Sequence, residues 1–215
     1  MGLPSPVRVM ADAPVPLVLV TGFTGAGKSA LVAYLGRVLP EEPPWLIFSN
    51  HDLAKTLPDT AFDGITDRKL SRKLQRSPAG CLHCIGLLPT QVALTRALRA
   101  LRPAVPQGII LEAAADGHGE AALAALRRPP LGLITRLVEV VAVLRPIWLE
   151  KSTPRSVEAL QALCTQADVI IANDWNATPA ALQERCRNYA ETLEKRFFTA
   201  NFGESDYSPS KRYKA

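Results

Sequence analysis

Residues 22–29 read Gly22-Phe-Thr-Gly-Ala-Gly-Lys-Ser29 and directly follow the apolar run Pro16-Leu-Val-Leu-Val-Thr21. The stretch matches the pattern G-x-x-x-x-G-K-[ST] at every fixed position. The apolar run predicts a strand, and residues 29–39 predict an amphipathic helix. Glycines allow a tight turn whose backbone N–H groups converge on an anion, and the positive end of the helix faces the same point. The sequence therefore predicts a phosphate-binding loop rather than a chance glycine-rich turn.

The polar side chains of this loop have expected roles in binding a nucleoside triphosphate. We expect Lys28 to reach the β- and γ-phosphates and the Ser29 hydroxyl to ligate Mg²⁺, which makes both candidate catalytic residues. The loop positions expected to contact the nucleotide are Gly22, Thr24, Gly25, Ala26, Gly27, Lys28, Ser29 and Ala30.

Composition and charge exclude several other classes of protein. The chain has 215 residues, of which 47% are apolar and 21% charged, as in an ordinary globular protein with one core. Its net charge of +5 forms no basic stripe interleaved with aromatics, so nucleic acid is not an indicated partner. The apolar runs are strand-sized, which predicts no membrane span, and the N-terminus lacks a signal peptide. Four cysteines are too few for a secreted disulfide framework, so a reducing cytoplasm is expected.

Predicted strands and helices alternate along the chain, which is typical of an α/β protein with a mainly parallel sheet and helices on both faces. We expect a flexible leader over residues 1–14, one P-loop NTPase domain over 15–202 and a flexible polar and basic tail over 203–215. A polar stretch over 53–80 predicts a mobile insertion. The predicted strands are 16–21, 45–49, 108–112, 137–144, 168–172 and 196–200, and the predicted helices are 29–39, 89–101, 121–127, 154–166 and 179–195.

Two acidic residues near the end of one predicted strand are candidates for catalysis. Glu112 ends the run Gly108-Ile-Ile-Leu-Glu112, where P-loop proteins keep a carboxylate that holds the Mg²⁺ shell or orients the attacking water. Asp116 lies in the glycine-bearing loop beyond it and would share that work or sense the γ-phosphate. The alternative for Glu112 is a surface carboxylate at a strand end.

The stretch Cys81-Leu-His-Cys84 brings two thiols and one imidazole together in a predicted loop. Thiolates with imidazole suit Zn²⁺ or Co²⁺ far better than Mg²⁺, so Cys81, His83 and Cys84 are candidate metal ligands. A redox pair is the alternative reading. A fourth ligand would come from His51, His118, a partner chain or water, and the alternative for both histidines is a solvated loop position. The remaining cysteines, Cys164 and Cys186, lie in predicted helices and are expected to be buried.

A third candidate segment, Asn173-Asp-Trp-Asn176, follows the strand after which many GTPases carry Asn-Lys-x-Asp. The final Asp of that motif accepts two hydrogen bonds from guanine, and an amide cannot accept both. Asn173 and Asn176 are therefore candidate base-contacting residues, with the choice between GTP and another nucleotide left open.

The order of these motifs resembles that of the CobW-type GTPase and metallochaperone family. The matching pieces are residues 22–29 against GFLGAGKT, Ser49-Asn-His51 against NE, Gly80-Cys-Leu-His-Cys84 against GCxCC, Glu112 against ETxG, and Ala167-Asp168 with Asn173 against AD…NKxD. The resemblance runs over roughly residues 15 to 200. It implies a GTP-hydrolysing domain whose nucleotide state governs capture and delivery of zinc or cobalt, with Cys81, His83 and Cys84 as ligands.

The chain also departs from the family pattern. His51 replaces the family's Glu, and Ala115 replaces the glycine of ETxG. The family's C-terminal domain has no counterpart in the predicted elements, so we expect a trimmed or divergent member. Three functions follow for testing. The first is a Mg²⁺-dependent NTPase coupled to metal delivery, with a client metalloprotein and a homodimer as candidate partners. The second is a non-hydrolysing regulatory module that binds nucleotide and metal, and the third is a small-molecule kinase.

Overall fold

A computed structural model describes residues 14–40, 43–49, 74–76, 87–101, 105–113, 119–150, 154–201 and 204–209. Eight strands are present in these ranges: β1 Val15–Thr21, β2 Trp45–Ser49, β3 Leu74–Arg76, β4 Gly108–Glu112, β5 Thr135–Leu144, β6 Val169–Ala172, β7 Arg196–Asn201 and β8 Glu204–Ser205. The α-helices are α1 Lys28–Val38, α2 Leu87–Ala100, α3 Gly119–Arg127, α4 Pro154–Gln166 and α5 Ala180–Thr192. Short 3₁₀ turns lie at Leu131–Leu133, Pro146–Leu149 and Trp175–Ala177.

The strands form one sheet in the order β3-β2-β4-β1-β5-β6-β7-β8. All neighbouring pairs are parallel except β7 with β8, which confirms the predicted mainly parallel α/β architecture. The central strand β1 lies between β4 and β5, and Val20 is in register with Glu112. The loop that follows β1 therefore starts beside the end of β4, at the carboxyl edge where parallel sheets place their sites.

Helices cover both faces of the sheet, as predicted. Alternate residues of β1 point to opposite sides, so that Leu17 and Leu19 enter one core cluster and Val18 and Val20 another. The first cluster includes residues of α2 and α3, and a neighbouring cluster includes residues of α4 and α5. The second includes residues of α1. From β1 the chain crosses to β2 in one direction along the sheet, and from β4 it crosses to β5 in the opposite direction. Because both crossovers are right-handed, α1 and α3 lie on opposite faces of the sheet.

Two sequence expectations need correction. The predicted insertion over 53–80 contains strand β3, which pairs in parallel with β2. The predicted flexible tail over 203–215 is wrong for residues 204–209. There, β8 pairs with β7, and Tyr207 is 2% exposed because its ring packs edge-on against Phe198 and its hydroxyl bonds to buried Glu139.

The described part of the chain contains no helix with the length and apolar character needed to cross a membrane.

Candidate functional site

The loop after β1 has the backbone conformation that its glycines predict. Gly25 and Gly27 have positive φ angles of 78° and 96°, in the region that L side chains rarely adopt. A Cβ at Gly27 would lie 2.1 Å from Nδ2 of Asn173, and a Cβ at Gly22 would lie 2.4 Å from the carbonyl oxygen of Val143. Gly22 and Gly27 are therefore required because the backbone of β5 approaches Gly22 closely and the Asn173 side chain, just after β6, approaches Gly27 closely.

The Lys28 side chain is drawn back onto this loop. Its ammonium donates hydrogen bonds of 2.9 Å to the carbonyl oxygen of Gly22 and 3.1 Å to that of Phe23, and the residue is 6% exposed. A buried cation is tolerated only with such partners. The contacts hold the positive charge at the loop, where an anion bound by the backbone N–H groups would meet it.

Glu112 accepts hydrogen bonds from two hydroxyl groups on two other elements. The Ser29 hydroxyl, in the first turn of α1, donates to Oε1 at 2.6 Å, and the Ser49 hydroxyl, at the end of β2, donates to Oε2. Glu112 and Ser49 are each 1% exposed. Ser29 and the strand-end carboxylate of Glu112 are in contact, and the burial of Glu112 shows that the surface alternative for this residue is wrong.

Ser49 is a site residue that motif reasoning missed. It is the polar end of the otherwise apolar strand Trp45-Leu-Ile-Phe-Ser49, and this change in polarity is the available signal. Its contact follows from register, since Phe48 pairs with Leu111 and the next residues, Ser49 and Glu112, come side by side.

Asn173 joins the end of β6 to the phosphate-loop backbone. Its side-chain amide donates to the carbonyl oxygen of Ala26 at 3.2 Å, its own N–H donates to Leu144, and it is 5% exposed. The structure thus brings the first residue of the Asn-Asp-Trp-Asn segment against the loop.

The next three residues of that segment point in different directions. Asp174 has a φ of 59° and forms an ion pair with Arg145, with 2.7 Å between Oδ2 and Nε. Trp175 is buried and packs edge-on against Phe197. The Arg187 guanidinium lies over the Trp175 ring, 4.8 Å from its centre. Asn176 is exposed. Its backbone N–H donates to Oδ1 of Asn201 at 2.7 Å, which fixes the turn.

The predicted metal ligands all belong to segments outside the described ranges. Cys81, His83, Cys84, His51 and His118, like Asp116, lie outside the described residues. Within the described ranges, no group of three or more His, Cys, Asp or Glu side chains is placed to hold a metal ion. The thiolate and imidazole site therefore stays a prediction.

Cys164 and Cys186 are buried free thiols, as the sequence predicts. Burial raises the pKa of Cys164 to about 12, with a further contribution from nearby Cys186, and burial raises the pKa of Cys186 to about 11. Both thiols are protonated at neutral pH, and these raised pKa values make it harder for a metal to displace the proton than at an ordinary cysteine.

Comparison with known proteins accounts for this arrangement. The model of the CobW/HypB/UreG nucleotide-binding domain matches residues 16–199. This chain belongs to the CobW/HypB/UreG family. The resemblance drawn from the motif order is confirmed, and the match spans all of β1 but its first residue, all of β2 to β6 and most of β7.

Among curated proteins, the chain is similar to the zinc chaperone YeiR of Escherichia coli strain K12, with 27% identity over 160 residues. The match covers 74% of this chain and 46% of YeiR, so the chain spans less than half the length of that relative.

Solved structures show the same fold. The Zn(II)-bound YjiA GTPase from E. coli superposes with a TM-score of 0.54 at 15% identity, covering 83% of this chain and 54% of that one. Nickel-bound HypB from Helicobacter pylori gives 0.53 at 10% identity, covering 87% and 79%. The signal recognition particle receptor FtsY from Elizabethkingia anophelis gives 0.55 at 15% identity, covering 87% and 59%. The P-loop NTPase fold predicted from the sequence is confirmed.

Proposed function

We propose that this protein binds and hydrolyses a nucleoside triphosphate, GTP in the first instance, and that the bound nucleotide controls the binding and delivery of zinc or cobalt. The observation that carries the nucleotide part is the contact of Ser29 with Glu112 below an intact phosphate loop. This contact places a hydroxyl and a carboxylate beside the buried lysine of the loop. A hydroxyl, a carboxylate and a lysine are the groups that P-loop NTPases use in phosphoryl transfer.

The loop supplies binding and charge. Its N–H groups and the start of α1 would hold the phosphates, and Lys28 would exchange part of its contact with the loop carbonyls for the β- and γ-phosphate oxygens. Because Lys28 is already buried, little reorganisation is needed for its charge to act on the transferred group.

The donor set at Ser29 and Glu112 fits Mg²⁺, which takes oxygen ligands and is commonly held by one or two protein groups together with phosphates. When bound, Mg²⁺ would neutralise charge that develops on the phosphate oxygens. Glu112 would orient the Ser29 hydroxyl and, with lone pairs beyond the two that accept these hydrogen bonds, help to position the attacking water. Asp116 is proposed to share that work.

The cargo metal is proposed to bind at Cys81, His83 and Cys84, with His51 and His118 as further candidate ligands. Two thiolates and one imidazole favour Zn²⁺ over Mg²⁺. Support comes from relatives, since YeiR is named a zinc chaperone and the YjiA and HypB structures contain zinc and nickel. The partners proposed on this basis are a client metalloprotein and a second copy of the chain, in the cytoplasm.

Coupling of the two sites is proposed to run through the chain segments that flank them. The cysteine stretch lies in sequence between β3 and α2, and His51 follows Ser49, whose hydroxyl bonds to Glu112. A γ-phosphate that orders such segments changes the geometry of any ligand they carry.

Base selection is proposed to be weaker than in GTPases that carry Asn-Lys-x-Asp. Asn173 keeps its contact with the phosphate loop, whereas Asp174 is drawn to Arg145 and Asn176 offers an amide in place of a carboxylate. An amide accepts one hydrogen bond from guanine N1–H or N2–H where a carboxylate accepts both.

The altered base segment, with Asp174 and Asn176, and Ala115 at the position of the family's glycine also favour a second candidate, a regulatory module that binds nucleotide and metal without hydrolysis. Phosphate release separates the two functions. Wild-type protein with Mg²⁺, Zn²⁺ and GTP or ATP is expected to release phosphate faster than Lys28→Ala. Equal rates with measurable nucleotide affinity would select the binding module, and transfer of phosphate to a metabolite would select a kinase.

A further inference from the structure

Ser49 is a buried hydroxyl at the end of a strand that is otherwise apolar. It is 1% exposed, and its side chain donates to Oε2 of Glu112. Burying a hydroxyl costs free energy unless it is hydrogen-bonded, and a carboxylate is the strongest acceptor that it can meet. The residue therefore has a specific partner rather than a space-filling role in the β2 core.

The two hydrogen bonds to Glu112 come from two different elements and reach different oxygens of the carboxylate. Ser29 lies on α1, which follows the phosphate loop, and Ser49 lies on β2, so the carboxylate is held between two elements. With Oε2 fixed by Ser49, Oε1 stays directed at the Ser29 hydroxyl. Removing the Ser49 donor takes away the hydrogen bond to Oε2, so the Glu112 carboxylate is held less firmly about its last side-chain torsion, which has broad minima.

We propose that Ser49 is a positioning residue for the Mg²⁺ of the nucleotide complex, acting through the carboxylate of Glu112. The proposal rests on the proposed function, because it requires that nucleotide and Mg²⁺ bind at Ser29. Partners that orient a ligating or ligand-orienting carboxylate commonly change metal affinity by about 10- to 100-fold when they are removed.

Ser49→Ala tests the proposal through metal dependence rather than through turnover. A fluorescent GDP analogue is titrated with the protein in EDTA and at a series of Mg²⁺ concentrations. The Mg²⁺ concentration needed for half-maximal tightening is expected to rise by roughly 10-fold or more, while nucleotide affinity in EDTA is unchanged. Ser49→Cys keeps a weak donor on a somewhat larger side chain, and its Mg²⁺ dependence is expected to fall between those of the wild type and Ser49→Ala.

Thr135→Val is the matched control. Thr135 is a buried strand hydroxyl that donates to the carbonyl oxygen of Leu131, at the opposite edge of the sheet, so its loss removes a buried hydrogen bond away from the site. This variant is expected to lower the midpoint of thermal unfolding without moving the Mg²⁺ dependence. In a Glu112→Ala background, where no side-chain acceptor is left for Ser49, Ser49→Ala is expected to cause no further shift, because its effect passes through the carboxylate.

The outcomes separate the two proposals. A wild-type Mg²⁺ dependence in both Ser49 variants, or an equal shift in Thr135→Val, overturns the role of Ser49 and leaves nucleotide binding intact. A wild-type chain that binds no nucleotide, with or without Mg²⁺, overturns the proposed function and the inference that depends on it.

Discussion

At the scale of single residues, the site is defined by close approaches to the phosphate loop. Asn173 touches Ala26 and faces Gly27, Lys28 folds onto Gly22, and Ser49 reaches Glu112. The contacts of Asn173 and Ser49 join groups that are distant in sequence, and each of the three contacts has a consequence that one substitution can reveal.

Gly27→Ala is expected to weaken nucleotide binding much more than Gly25→Ala. Both glycines have positive φ angles, so both variants carry the cost of about 1–2 kcal/mol for a left-handed L residue. The methyl at residue 27 would also meet the Asn173 amide, whereas nothing lies within 4 Å of a Cβ at residue 25. Nucleotide affinity and thermal unfolding of the two variants check this, and equal losses would contradict the role given to Asn173.

Asn176→Asp is expected to increase the preference for GDP over ADP. A carboxylate at residue 176 can accept from both guanine N1–H and N2–H, and one additional hydrogen bond to a charged group corresponds to roughly 10-fold in the affinity ratio. Asn188→Asp, at an exposed position of α5, supplies the same charge change away from the site. An unchanged ratio in Asn176→Asp would remove residue 176 from base recognition.

At the scale of elements, the segment of residues 204–209 packs on the same face of the sheet as α1, where Tyr207 belongs to the same core cluster. Tyr207 and Arg196 both bond to the buried Glu139 of β5, with 2.6 Å between the Tyr207 hydroxyl and Oε2. The network joins β5, β7 and the end of the described chain, so this segment contributes to the stability of the domain.

Tyr207→Phe is expected to lower the free energy of unfolding by about 1–3 kcal/mol, because the buried Glu139 carboxylate loses a donor. Tyr34→Phe is the control, since Tyr34 is partly exposed on α1. Urea denaturation of both variants provides the measurement. A Tyr207→Phe protein as stable as Tyr34→Phe would mean that the 204–209 segment is not held as described.

The helices α4 and α5 pack their buried thiols together, and this predicts a pH dependence of stability. The pKa of Cys164 is raised from 9.0 to about 12 and that of Cys186 to about 11. The stabilising contribution is therefore complete below pH 9, where the thiols are also protonated in the unfolded chain, and is lost as pH rises toward 11–12. Between pH 8 and pH 10, the free energy of unfolding, measured from denaturation curves, is expected to fall less for Cys164→Ala than for the wild type. Parallel curves would contradict burial as the cause.

At the scale of the whole molecule, the sequence predicts the fold well because the fold depends on local patterns. The β-branched runs before Gly22 and Glu112 each form a buried strand, and their alternation with helices leads to a parallel sheet. Strand β3, with the sequence Leu74-Gln-Arg76, carries no such pattern and forms by pairing with β2, so local reasoning could not find it.

The site was predictable only where a motif encodes it. Lys28, Ser29 and Glu112 occupy the expected edge of the sheet. The contact of Ser49 with Glu112 and the burial of Tyr207 depend on register and on packing across the sheet, which no short pattern records.

The most direct test of the central claim measures whether nucleotide and zinc affect each other's binding. Zinc affinity is measured by competition with a chromophoric chelator, with and without GTP and Mg²⁺. The proteins compared are the wild type, Cys84→Ser and Cys186→Ala, the last of which removes a buried thiol that is not a proposed ligand. We predict that GTP changes the zinc affinity of the wild type and that zinc changes the GTP affinity by the same factor, as linkage requires. We expect Cys84→Ser to lose this mutual effect and Cys186→Ala to keep it. Zinc binding that is independent of nucleotide, or unaltered in Cys84→Ser, would contradict the account.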